Sequence, residues 1–296
     1  MSALSDDAFI TNVFQKLNDG QKLCTILIDE VYVKPMLTYH GGQLFGRSIK
    51  DETSLAKTVL AFMISCFYGG PTFFVTMLPV NKLNSDFVYD QTKLICEKLS
   101  KVGGTVKTII TDNNRVNQAF FKKFECTSPW LTNSGIFLLF DFVHILKSIG
   151  NNWIIEKTGE IQFTYRGDEY TAKWCHIQKL QRLEEGSLVK MSKLTYVAAN
   201  PKPIERQKVE TCLKVFCKET ITALKCHPGM QDDNVDGTVL FLAKIVQFWK
   251  IVNVKTTTEG IHLKDSLRDP ISTIDDLRFD DLIEFCEMLK ANYTSG

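Results

Sequence analysis

The sequence predicts an α/β sheet unit over roughly the first 150 residues, followed by a mostly helical unit. Three observations carry this. Apolar runs of strand length alternate with helical stripes up to about residue 150, the pattern of strands joined through helices. Beyond that point the strand signals fade and longer stripes of helical period take over. Three of the early runs end in an aspartate, as expected where functional groups gather at the carboxyl ends of the strands of an open sheet.

Residues 1–20 read as a lead-in segment. Residues 23–33, "LCTILIDEVYV", form a short apolar run consistent with a strand buried on both faces. "VLAFMISCFYGGPTFFVTMLPV" at 59–80 breaks at Gly69-Gly70-Pro71 and reads as two strands joined by a turn. Asn84 or Ser85 then caps a helix with the stripe Phe87, Val88, Leu94, Ile95, Leu99 and Val102, ended by Gly103-Gly104. "VKTIITD" at 106–112 is a further strand, followed by a helical "NQAFFKKF". "GIFLLFD" at 135–141 is another, leading into "FVHILKSIGNNWI". In the second unit, helical stripes cover 204–225, 236–252 and about 276–291.

Composition bounds the function. The chain has 296 residues, 44% hydrophobic and 11% aromatic, which describes a folded protein with a sizeable core. Nine cysteines stand singly, with no Cys-x-x-Cys pair, so a zinc finger is not expected and reduced thiols inside a cell are. No signal peptide is read, and no apolar stretch reaches the roughly 20 residues of a membrane helix. The net charge of +1 means that any nucleic-acid binding needs a local patch.

The three strand-ending acids are Asp29, Asp112 and Asp141. Carboxylates on adjacent strands suit Mg²⁺, which takes oxygen ligands, and paired ions serve phosphoryl transfer. The bland alternative is that each aspartate starts a turn. By strand parity Leu23, Thr25, Leu27 and Asp29 share one face while Cys24, Ile26, Ile28 and Glu30 share the other. Gly41–Ser48 approaches a phosphate loop, but Arg47 stands where lysine is needed, and a glycine-rich connection is the better reading. His144, three residues after Asp141, reads alone as a packing or capping residue. No Gly-x-Ser-x-Gly elbow supports acyl transfer.

In order and spacing, "ILIDEVYVK" at 26–34, "TIITDNNRVNQAFFKKF" at 108–124 and "IFLLFDFVHILKSIGNNWI" at 136–154 resemble the catalytic region of P-element-type transposases, the group that includes THAP-domain transposase-like proteins. "KMSKLTYVAANPKPIERQKVETCLKVFCKETITAL" and "GTVLFLAKIVQFWKIVN" resemble the helical insertion domain of that family. The resemblance covers about residues 20–290. It implies an RNase H-like mixed sheet flanked by helices over 21–150, then a helical insertion domain over 151–296. It implies a D-D-E site in which Asp29 is the first acid and Asp112 the second, both ligands of Mg²⁺ or Mn²⁺, with Asp141 and His144 in support. It implies transposon-end DNA as partner, self-assembly, a nuclear location, and GTP as a ligand of the insertion in some members.

Two departures accompany it. No zinc-coordinating head precedes the catalytic region, and the helix that should supply the third acid is not evident; Glu284 and Glu287 lie in a helix that reads as insertion. Two expectations follow: an incomplete DNA-cleaving and strand-transferring enzyme, or a derivative that keeps the fold as a DNA- or protein-binding module without catalysis.

Overall fold

The computed structural model describes residues 7–155, 157–231 and 233–290. It divides into two compact units between Asp141 and Phe142. The first six residues of the expected lead-in lie outside the described residues; the rest of it contains a helix, α1 (Asp7–Phe14). The first unit continues with β1 (Leu23–Tyr32), β2 (Thr38–His40), β3 (Gln43–Phe45), β4 (Thr58–Cys66), β5 (Thr72–Val80) and α2 (Ser85–Lys101). It ends with β6 (Thr105–Thr111), α3 (Arg115–Phe121), β7 (Cys126–Ser128), β8 (Leu131–Thr132) and β9 (Phe137–Phe140).

Seven strands form one mixed sheet in the order β5-β4-β1-β6-β9-β8-β7. β1, β6 and β9 are parallel neighbours, while β4 runs antiparallel to β1 and β5 to β4. The expected strands are all present, and Gly69 takes the left-handed turn conformation (φ +73°) between β4 and β5. Asn84 caps α2, its side chain accepting the Phe87 N–H at 3.1 Å. One face of the sheet, with Ile26, Ile28, Phe62, Ile64, Ile109 and Leu138, packs in a single core with Phe14 of α1, Ile95 and Leu99 of α2, and Phe120 of α3. Burying each such side chain contributes about 2 kcal/mol. That face is the one carrying Glu30 by parity; Asp29 stands on the opposite face, beside Leu27 and Thr25.

The second unit comprises α4 (Phe142–Ile155), β10 (Glu160–Tyr165), β11 (Asp168–Lys173), α5 (Trp174–Leu183), α6 (Tyr196–Ala199), α7 (Val209–Val215), α8 (Lys218–Cys226), α9 (Asp236–Val252), α10 (Glu259–Leu263) and α11 (Arg278–Lys290). Its core centres on Trp153, fully buried, which meets Trp174 and Phe241 edge-on at 5.0 and 5.1 Å. Both buried indoles are satisfied, Trp153 donating to the Ala172 carbonyl and Trp174 to that of Ala199. The stripe 236–252 is the helix α9, and the last expected helix is α11, with position 291 outside the described residues.

One expectation is corrected here. The stripe over 204–225 is two helices, because Phe216 (ψ 66°) and Cys217 (φ −141°, ψ 160°) leave helical geometry and bend the chain between α7 and α8. A strand pair, β10 and β11, which was not expected individually, also stands inside the mostly helical unit, turning through Arg166 and Gly167 with positive φ.

Candidate active site

The parallel strands β1, β6 and β9 bring Asp29, Asp112 and Asp141 to one end of the sheet. Asp112 and Asp141 follow directly on the last residues of β6 and β9, as expected. Asp29 does not end its strand: β1 runs on to Tyr32, because Glu30, Val31 and Tyr32 still pair with Leu60, Val59 and Thr58 of β4.

Register then decides what these acids can do together. β1 and β6 pair Thr25 with Thr108, Ile26 with Ile109 and Leu27 with Ile110. β6 and β9 pair Ile110 with Leu139 and Thr111 with Phe140. Carried forward, the two ladders set Asp29 level with Asp112, and Asp112 level with Asp141. The ladder is extended to the last of these by the Asp141 N–H, which donates to the Thr111 carbonyl at 2.7 Å. The paired residues themselves end at Leu27 with Ile110 and at Thr111 with Phe140, two residues and one residue short of the acids. A bulge sets this register. Cys24 pairs with Val106 but Thr25 pairs with Thr108, and without that one-residue shift Asp29 would stand beside Thr111.

The loop after β6 builds the surroundings of the pair. Asn114 caps α3, its side-chain oxygen accepting the Asn117 N–H at 2.8 Å. The Asp112 carboxylate accepts from the Asn114 N–H at 3.4 Å and from the side-chain amide of Asn117. Asn117 is itself buried, so this contact holds the half-buried Asp112 to the start of α3. Asp29 is exposed, with one carboxylate oxygen accepting the Glu30 N–H at 2.8 Å.

Glu30 also belongs to this group, which sequence reasoning missed by choosing between it and Asp29. Its carboxylate accepts the Asn114 side-chain amide at 2.9 Å. Burial pushes its pKa up, the Asn114 hydrogen bond opposes this, and the nearby Asp112 and Asp29 charges push it up further. The signal that could have found it is the Asn113-Asn114 pair after the strand, which supplies a cap with a spare amide. Among the described residues, Asp29, Glu30 and Asp112 have no lysine or arginine ion-pair partner.

The donor set consists of hard carboxylate oxygens and fits Mg²⁺ or Mn²⁺ in kind. Among the described residues no group of three or more His, Cys, Asp or Glu side chains is arranged to hold a metal ion. Asp141 belongs to the first unit and His144 to the second, where it lies on α4 with Lys147 Nζ 3.5 Å from its Nε2. Glu284 is engaged within the second unit, accepting from Tyr165, Arg166 and Lys244.

Residues 7–125 match the family model of the "TNP-like, RNase H N-terminal domain". The structure resembles that of the Drosophila P element transposase strand transfer complex, with a TM-score of 0.75, 18% sequence identity and 95% of this chain covered. The chain spans 62% of the length of that transposase. No curated protein sequence matches it. No described helix is long and apolar enough to cross a membrane. Residues 7–125 are thus similar to the transposase-like RNase H N-terminal domain, and the chain has a fold like that of the P element transposase.

Proposed function

We propose that this chain carries the catalytic region of a P-element-like DDE DNA transposase, acting on DNA in the nucleus with Asp29 and Asp112 as ligands of divalent metal. One observation carries the reading: Asp29 and Asp112, which have no lysine or arginine ion-pair partner among the described residues, come level in register on adjacent parallel strands of a sheet in RNase H order. Bound divalent ions would supply charge stabilisation at the attacking and leaving oxygens of a phosphodiester. The chain's own part is to hold the ligands. Asp112 is oriented by Asn117 and the start of α3, while Asp29 remains exposed to an incoming strand. Asp141 is a supporting acid one strand further along, and the resemblance gives His144 the same role. The resemblance also supports self-assembly and makes the second unit a candidate for GTP binding, although the sequence offers no phosphate loop there.

The test is nicking of supercoiled DNA in Mg²⁺ or Mn²⁺ by the native chain and by Asp112→Asn. A loss on the order of 10²-fold or more is expected, the scale of removing one preorganised group from a transition-state site. Equal activity in the two proteins removes Asp112 from the site. A second reading is a non-catalytic module that keeps the fold and binds DNA or protein. DNA binding by the native chain without metal-dependent nicking decides for that reading.

A further inference from the structure

Beyond the acids, the chain leaves the sheet as an arm that the catalytic reading does not use. Every residue from Val31 to Phe45 is exposed, including Tyr32 at 82%, Tyr39 at 73% and Met36 at 55%. The tip is the two-stranded ribbon β2–β3, turning through Gly41 (φ +58°) and Gly42 (φ +81°), a conformation that suits the twist of a tight hairpin. An isolated two-stranded ribbon gains little from burial of its own, and a contiguous exposed apolar surface marks an interaction site.

The root of the arm is firmly built. A Cβ on Gly46 would fall 1.9 Å from the Met36 carbonyl oxygen, so only glycine lets the two sides of the arm approach there. Ser48 is buried, its N–H donating to the Ser54 carbonyl and its hydroxyl accepting the Asn81 N–H at 3.2 Å. Tyr39 pairs across the ribbon with Leu44, setting an aromatic and an aliphatic side chain together on one face.

Charge and position select the partner. From Val31 to Lys50 there is no Asp or Glu, while Lys34, His40, Arg47 and Lys50 are present in a chain whose net charge is only +1. Lys50 is occupied by Asn84 and the Phe87 ring; Lys34 and Arg47 are exposed and have no carboxylate partner among the described residues. β1 and β4 stay paired past Asp29 as far as Tyr32, and the Val33 N–H donates to the Lys57 carbonyl. The arm therefore leaves from the acid-bearing end of the sheet, its root about 10 Å along the strand from Asp29.

We infer that the arm at residues 31–49 grips duplex DNA beside the acids, the ribbon entering a groove and Lys34 and Arg47 meeting phosphates on either side. A two-stranded ribbon is of a size that the major groove admits, and phosphate contacts position a protein without reading sequence. This inference rests on the DNA-acting reading of the acids.

The test is a fluorescence-anisotropy titration of a labelled duplex with the full chain over a series of KCl concentrations. Native protein is compared with Lys34→Gln/Arg47→Gln and with Tyr39→Ser/Leu44→Ser, all checked for an unchanged thermal melt. The charge variant should bind about tenfold or more weakly, with its dependence of log K on log salt shallower by about 2, close to 0.9 per lost phosphate contact. The tip variant should bind more weakly with the native salt slope. Native affinity and slope in both variants, with DNA bound by all three proteins, overturns the arm and leaves the acids as proposed. No duplex binding by the native chain overturns the DNA-acting reading itself. Sedimentation showing a native dimer that the tip variant converts to monomer, with DNA affinity unchanged, assigns the arm to a second copy of the chain and also overturns the inference.

Discussion

In the second unit Glu284 lies among Lys244, Arg166 and Tyr165, whose hydrogen bonds hold its carboxyl down to about 2. In the first unit Glu30 lies beside Asp112 and Asp29 with only an asparagine amide to offset its burial, and its carboxyl is pushed up. The difference separates two uses of an acid. Glu284 already has its work, tying α11 to β10–β11 and α9 through matched cations. Asp276 is similar, held down to about 2 by its own Arg278. Asp29, Glu30 and Asp112 are gathered without such lysine or arginine partners among the described residues. Concentrated, unneutralised charge raises the free energy of the bare protein and is a mark of a site that meets a cation.

The comparison can be broken from either side. Replacing Glu284 by alanine removes the acceptor of three donors and leaves Lys244, only 12% exposed, without its carboxylate. A loss of about 2 kcal/mol is expected, seen as a fall of several degrees in a thermal melt; an unchanged melt shows that the cluster ties nothing. Asn117→Ala should cost about 1 kcal/mol, since a buried amide donor to Asp112 is lost. Under the proposed function Asn117 positions Asp112 rather than reacting, so metal-dependent nicking should slow with the affinity for DNA unchanged. Weaker DNA binding with normal turnover assigns Asn117 a different role.

The smallest effect tests the signs. Glu284, with its lowered pKa, contributes stability that is fully present above its ordinary value of 4.5 and is lost as pH falls towards about 2. Glu30 works the other way: its charged form is disfavoured in the fold, and acidification through its raised pKa towards 4.5 relieves that cost. Urea melts of Glu30→Gln should therefore show a gain below about 1 kcal/mol at pH 7 that vanishes near pH 4. A loss at pH 7 means that Glu30 is matched after all.

Much of the first unit was legible because its signals are local. The Asn84 cap, the Gly-Gly-Pro turn and the short apolar runs each act within a few residues and met no tertiary conflict. In the second unit, 160–173 does alternate with a turn at Arg166-Gly167, but one hairpin among helical stripes gave little to weigh against them. The bend at Phe216-Cys217 is invisible in the apolar period, since α7 and α8 both feed one core. For the candidate site, the resemblance points to Asp29 and Asp112, whereas the contact of Glu30 with Asn114 is not legible in the sequence.

The sequence by itself determined which segments are strands and helices and that aspartates follow β6 and β9, because side-chain periodicity and capping are properties of neighbours along the chain. Only the tertiary structure decided that Asp29 stands level with Asp112. That depends on a bulge after Cys24 and on pairing between residues some 80 positions apart, and a one-residue slip would have turned the acid to the other face. It also decided that Glu30 reaches Asn114, a contact between a strand and a cap that no local pattern encodes.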